Sequence, residues 1–166
     1  MSRRTAVTGL LACVASVAAL AQQPARPEKT FTNAADVAAM IAKAKKERKP
    51  DQGNFIQPLL SLAPYLVNLE YRVQGVDTPP NIHDAESEIV YVVEGAGVLT
   101  QGGRVLDEKR LNPNNRTGRV IEGGTPRRIV KGDYIFVPAN TPHAFTKTEG
   151  SLVIMSIHLP KDGAGR

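Results

Sequence analysis

Pro80-Asn81-Ile82-His83-Asp84-Ala85-Glu86-Ser87-Glu88-Ile89-Val90-Tyr91-Val92-Val93-Glu94-Gly95 is the stretch on which the fold turns. Ser87 to Val93 reads as a strand. Side chains alternate across a strand, so Glu88, Val90 and Val92 share one face and Ile89, Tyr91 and Val93 share the other. A glutamate opening a valine-lined face sits at the rim of an apolar interior. An isolated carboxylate there is costly, and a divalent cation offsets that cost.

A second stretch has the same character: Gly132-Asp133-Tyr134-Ile135-Phe136-Val137-Pro138-Ala139-Asn140-Thr141-Pro142-His143-Ala144-Phe145. A short apolar strand runs to Pro138, a tight turn follows, and His143 opens the next strand at the same kind of rim. Working outward, the chain from Phe55 on is a series of short apolar runs separated by Gly, Pro, Asn and Asp. Candidate strands fall at 55–60, 65–74, 87–94, 96–100, 104–106, 118–122, 126–130, 134–137, 143–147 and 151–159. Most of the 14 Gly and 12 Pro lie in this region. The pattern predicts an all-β sandwich or barrel over 55–160. The polar run 107–117 is the most obvious surface loop, either a plain hairpin or a cover for the barrel mouth.

Ahead of the barrel, Thr32 or Asn33 can cap a helix within 32–49. Val37, Met40, Ile41 and Ala44 form its apolar stripe, and Pro50 ends it. Lys43, Lys45, Lys46, Arg48 and Lys49 suit the helix C-terminus electrostatically; they read as a solvated end, or as a contact for an acidic partner. Residues 22–31 are polar and read as a linker.

Residues 1–21 read as a secretory signal. Ser2-Arg3-Arg4 is a basic start, Ala6 to Ala19 is apolar, and Ala19-Leu20-Ala21 offers a small-residue cleavage site before the polar Gln22-Gln23-Pro24. The apolar run is shorter than the roughly 20 residues of a membrane-spanning helix. An uncleaved anchor, acylation of Cys13 and a twin-arginine signal are the competing readings. The expectation is a periplasmic or secreted protein with no stable membrane insertion after cleavage. Cleavage removes Cys13, the single cysteine, so the mature chain has neither a disulfide nor a thiol ligand.

At 166 residues the chain has room for one domain. It lacks Trp, and its net charge of +5 is dispersed, so nucleic acid is not an expected partner. Zinc-finger spacings, phosphate-binding Gly loops and a Gly-x-Ser-x-Gly elbow are absent from the sequence.

The two stretches together resemble the cupin superfamily. Glu88 and Gly95 keep the spacing that ends the family's first motif, and His83, five residues before Glu88, fits that motif's second His. Asn81 stands where the first His belongs. Gly132, Pro138 and His143 match the second motif, with Asn140 in place of its second Gly. Asn tolerates the left-handed turn conformation, so that change is mild. The resemblance covers about residues 65–159. It implies a double-stranded β-helix, a jelly-roll barrel, here with one N-terminal helix. It also implies one divalent transition metal ion, Fe, Mn, Ni or Zn, held by His83, Glu88 and His143; the competing reading is a cupin that has lost its metal and keeps these residues as a hydrogen-bonded core. Asn81 adds a weak oxygen ligand or orients a bound water.

Other residues carry alternatives. Glu86 is a second ligand, a general base or a solvated loop residue. Asp84 is exposed or ligating. Arg72 pairs with Glu70 on an outer face, or points inward to hold a substrate carboxylate. His158 is a strand-end or core residue, or it belongs to the pocket. Tyr91 and Tyr134 read as packing residues. Two functions remain open: a metal-dependent enzyme acting on a small oxygenated molecule, with dioxygenation favoured, and a non-catalytic small-molecule or sugar-binding module. The face carrying Ile89, Tyr91 and Val93 is a candidate homodimer seal.

Overall fold

A computed structural model describes residues 26–161; the signal-sequence reading of 1–21 lies outside them. Helix α1, Ala34–Glu47, opens with Asn33 as N-cap. The Asn33 side chain accepts from the Asp36 amide and the Asp36 carboxylate accepts from the Asn33 amide, a reciprocal pair that satisfies two otherwise free donors. Within the stretch read as a linker, Lys29 exchanges two backbone hydrogen bonds with Ser61. No helix among the described residues is long and apolar enough to cross a bilayer.

Among the described residues eleven strands follow: β1 Phe55–Leu62, β2 Tyr65–Val73, β3 Asn81–His83, β4 Glu86–Gln101, β5 Arg104–Leu106, β6 Lys109–Asn112, β7 Asn115–Thr117, β8 Val120–Glu122, β9 Thr125–Val130, β10 Tyr134–Val137 and β11 His143–Pro160. All pairings are antiparallel. The long strand β11 lies between β2 and β4, and β4 pairs with β9 and β10 on its other edge.

The runs expected at 87–94 and 96–100 are one strand, β4, and those at 143–147 and 151–159 are one strand, β11. Gly95, at φ +84°, bends β4 without ending it. A Cβ there would lie 1.9 Å from the Ser151 carbonyl oxygen, so the two strands meet closely at this irregularity in their register.

The barrel interior is filled by Val90, Val92, Leu99, Ile129, Ile135, Val137, Phe145, Leu152 and Ile154. Each aliphatic side chain fully buried there contributes about 1.5–3 kcal/mol. A separate cluster lies on the outer face, where Ala44 of α1 packs on Leu69, Tyr71 and Val153. On β2 the alternation therefore puts Leu69 and Tyr71 under the helix and Asn68, Glu70 and Arg72 inside. Toward the start of β4 and the end of β11 the interior turns polar, and this is where the site lies.

Residues 107–117 are not a free loop. They form the hairpin β6–β7, with β7 paired to β3. Arg116 ties the hairpin down through Asp84, Glu108 and Asn140, and Arg110 also binds Asp84. Leu111, Asn112 and Asn115 then line the cavity, so the hairpin forms part of the cavity wall. Asp84 is consumed by these ion pairs.

Candidate metal centre

Glu88 opens β4 on its inward face, as the alternation predicts. It is 3% exposed, and its Oε2 has no hydrogen-bond partner. His143, 2% exposed, starts β11 and places Nε2 3.2 Å from that oxygen; His83, at the end of β3, places Nε2 at 3.6 Å. The opposite ring nitrogen of each histidine faces an acceptor. His83 Nδ1 is 2.5 Å from Asn115 Oδ1, and the Asn115 amide is oriented by its own donation to Asn112 Oδ1. His143 Nδ1 is 3.2 Å from the Thr141 carbonyl oxygen.

In a neutral imidazole the nitrogen that faces an acceptor carries the proton, and in that form each Nε2 presents a lone pair. Two lone pairs and a buried carboxylate oxygen thus converge with no donor between them. A cation resolves that arrangement, and the outer hydrogen bonds are those that orient histidine ligands. The ligating atoms of His83, Glu88 and His143 lie within 4.8 Å of one another. Without an ion, burial pushes the Glu88 carboxyl up, but protonation of the surrounding imidazoles, with a hydrogen bond from His143 foremost, outweighs burial and holds it below the usual carboxylate range. It is an anion at neutral pH.

Glu86 does face the same way as Glu88, and its Oε2 lies 3.0 Å from His158 Nδ1. His158 therefore belongs to the pocket. Its register partner across β4 is Glu88, and its ring centroid lies 5.2 Å from that of His83. Burial disfavours its protonation, yet the hydrogen bond it donates to Glu86 and the charges of Glu88, Glu86 and Glu70 raise it above the usual imidazole range.

The ion pair of Arg72 and Glu70 exists, at 2.6 Å, but inside the barrel and not on an outer face. The helix claims the other side of β2. Glu70 also accepts from Asn54 and Ser156, and the Arg72 guanidinium lies 4.5 Å over the Phe145 ring. Three buried atoms of this wall lack partners: Arg72 Nε, Asn54 Oδ1 and Asn68 Oδ1. With Asn81 and the metal-site residues they surround a cavity of about 330 Å³.

No family model matches the sequence, and no curated protein matches it. Solved structures do. KdgF from Halomonas sp. is 18% identical, the match covering 69% of this chain and 85% of that one at a TM-score of 0.50. The Fe(II) form of HppE is also 18% identical, covering 65% of this chain and 52% of that one, again at 0.50; the match spans about half of HppE. At such identity the likeness is one of fold. This chain has the cupin fold.

Within this fold, Asn140 adopts φ +61°, the left-handed conformation that Gly most readily supplies. Asn81 lies opposite His143 in the β3–β11 register and lines the cavity. Sequence reading did not single out Asn115, Asn54 or Asn68 as site residues. Asn115 stands in a polar hairpin like any other. Only the polar alternation of Asn68, Glu70 and Arg72 along β2 carried a signal.

Proposed function

We propose that this protein is a metal-dependent cupin enzyme acting on a small oxygenated organic molecule, with the ion held by His83, Glu88 and His143. The observation that carries the proposal is the orphaned Glu88 Oε2 facing two imidazole lone pairs. When bound, Fe, Mn, Ni or Zn supplies Lewis acidity, and two histidines with one carboxylate leave positions open, which favours dioxygenase-like chemistry with molecular oxygen as co-substrate. Asn81 adds a weak oxygen donor or orients a water.

The remaining residues handle the organic molecule. Glu70 neutralises Arg72, so the wall offers Arg72 Nε as a donor and two Asn oxygens as acceptors. That pattern suits hydroxyl and carbonyl groups better than a lone carboxylate. Glu86, hydrogen-bonded to His158 beside the centre, is the candidate general base.

The test is turnover of hydroxylated acids, ketones and sugars by the metal-loaded protein, followed by oxygen uptake and product analysis. His143→Ala must abolish turnover and keep the fold. Unchanged turnover in that variant removes the enzyme reading. The second reading is a non-catalytic small-molecule or sugar-binding module, favoured by Asn81 in place of a histidine. It predicts thermal stabilisation by a ligand that is recovered unchanged.

The leader reading of residues 1–21 supports a periplasmic or secreted location. A homodimer through the outer face of β4 and β10 fits the exposed Tyr134 and Phe136, which pair across strands with Tyr91 and Ile89.

A further inference from the structure

His158 lies on neither cupin motif, yet it completes a second ligand set. The ligating atoms of His83, Glu86 and His158 also lie within 4.8 Å of one another. This set shares His83 with the first. Because His83 Nδ1 is engaged by Asn115, only Nε2 is free, and His83 can serve one ion at a time. The two sets also differ in depth. Side-chain exposure is 2% and 4% for His143 and Glu88, against 13% and 33% for His158 and Glu86.

They differ equally in need. Glu86 and His158 already satisfy each other at 3.0 Å, so an ion must displace that hydrogen bond. Glu88 Oε2 has nothing to give up.

We propose that His83, Glu86 and His158 form an outer, weaker position for the same divalent ion, met on the way in from the mouth, with His83 handing the ion to Glu88 and His143. The proposal rests on the metal-centre reading above. A single ion then has two overlapping positions, and the chain saturates at one ion, not two.

Cobalt(II) titration of the metal-free full chain, followed by its visible absorption, tests this. Wild type should bind one Co(II) per chain. His143→Ala and the isosteric Glu88→Gln each disable the inner position. Each should still bind one Co(II), with an altered spectrum and an affinity weaker by at least about 10-fold. Adding His158→Ala to either should abolish binding. Far-UV circular dichroism identifies any variant that has lost its fold, and Glu88→Gln, which keeps side-chain volume, stands in should His143→Ala do so.

If wild type binds Co(II) but both inner-site variants bind none, the outer position does not exist. Binding that is indifferent to His158→Ala has the same meaning. No Co(II) on wild type removes the metal-centre reading and this proposal together.

Discussion

The backbone amide of Asn140 donates to the carbonyl oxygen of His83 at 2.7 Å. This bond ties the turn that delivers His143 to the strand that delivers His83. Two histidines sixty residues apart in sequence are thereby set against one carboxylate, and the turn's left-handed residue is part of the site's rigidity.

Replacing Asn140 therefore separates conformation from chemistry. Asn140→Gly keeps the φ of +61° accessible and loses only the exposed bond from Arg116, which Asn140→Val loses as well, so it should cost about 1 kcal/mol or less. Asn140→Val puts a β-branched residue in that conformation and should cost about 1–2 kcal/mol or more, with a parallel loss of metal affinity. Urea unfolding and metal titration measure both. Equal behaviour of the two variants would mean the turn does not position His143.

The buried pair Arg72–Glu70 makes a second prediction. Arg72→Met leaves Glu70 buried without its cation and should destabilise by about 3–5 kcal/mol. Converting Glu70→Gln in the same chain should recover much of that loss, because the amide still meets Asn54 and Ser156. A double-mutant cycle in urea reads the coupling. Additive losses would show that the ion pair is not a unit.

Protonation of the metal-free protein should separate two histidines. Burial foremost, helped by the charges of His143 and His158, holds His83 below the usual imidazole range, whereas Glu86 and its neighbours hold His158 above it. His83 binds its proton more readily when unfolded, so its contribution to stability is present above the usual imidazole pKa and is lost as pH falls below it. His158 binds its proton more readily when folded. Its contribution is present below that pKa and is lost as pH rises through its raised folded value. Side-chain NMR titration should show His158 titrating at higher pH than His83. The reverse order would contradict the Glu86–His158 contact.

The proposed dimer face is open to a simple measurement. Tyr134 is 72% exposed and Phe136 53%, and Tyr91 stacks on Tyr134 at 4.6 Å between ring centroids. Sedimentation at micromolar concentration should give a dimer for the wild-type chain and a monomer for Tyr134→Glu/Phe136→Glu. A monomeric wild type would leave that face to some other use.

Much of this was legible in the sequence, for physical reasons that can be named. Glu88 is readable because a carboxylate at the head of a valine-lined strand face is anomalous, and His143 because Pro138 and Asn140 define a turn of fixed shape. The helix is readable from its stripe and cap. What could not be read depended on register and on which face the helix covers. Gly95 looks like a strand end but is a bend, because the chain continues its pairing with β11 beyond it. Arg72 and Glu70 looked outward-facing because both faces of β2 carry bulky side chains; only the docking of α1 on Leu69 and Tyr71 sends the charged pair inward. His158 meets Glu86 across a pairing of strands 72 residues apart, which no local pattern announces. The 107–117 run looks like loop because its strands are short and polar, held by Arg116 and not by apolar packing.

Elemental analysis of the purified protein beside a His83→Ala/His143→Ala variant tests the central claim most directly. Close to one equivalent of Fe, Mn, Ni or Zn is expected per wild-type chain and none in the variant, since His83 serves both ligand sets. Metal absent from the wild type even after reconstitution, or retained equally by the variant, would contradict a centre built on these residues.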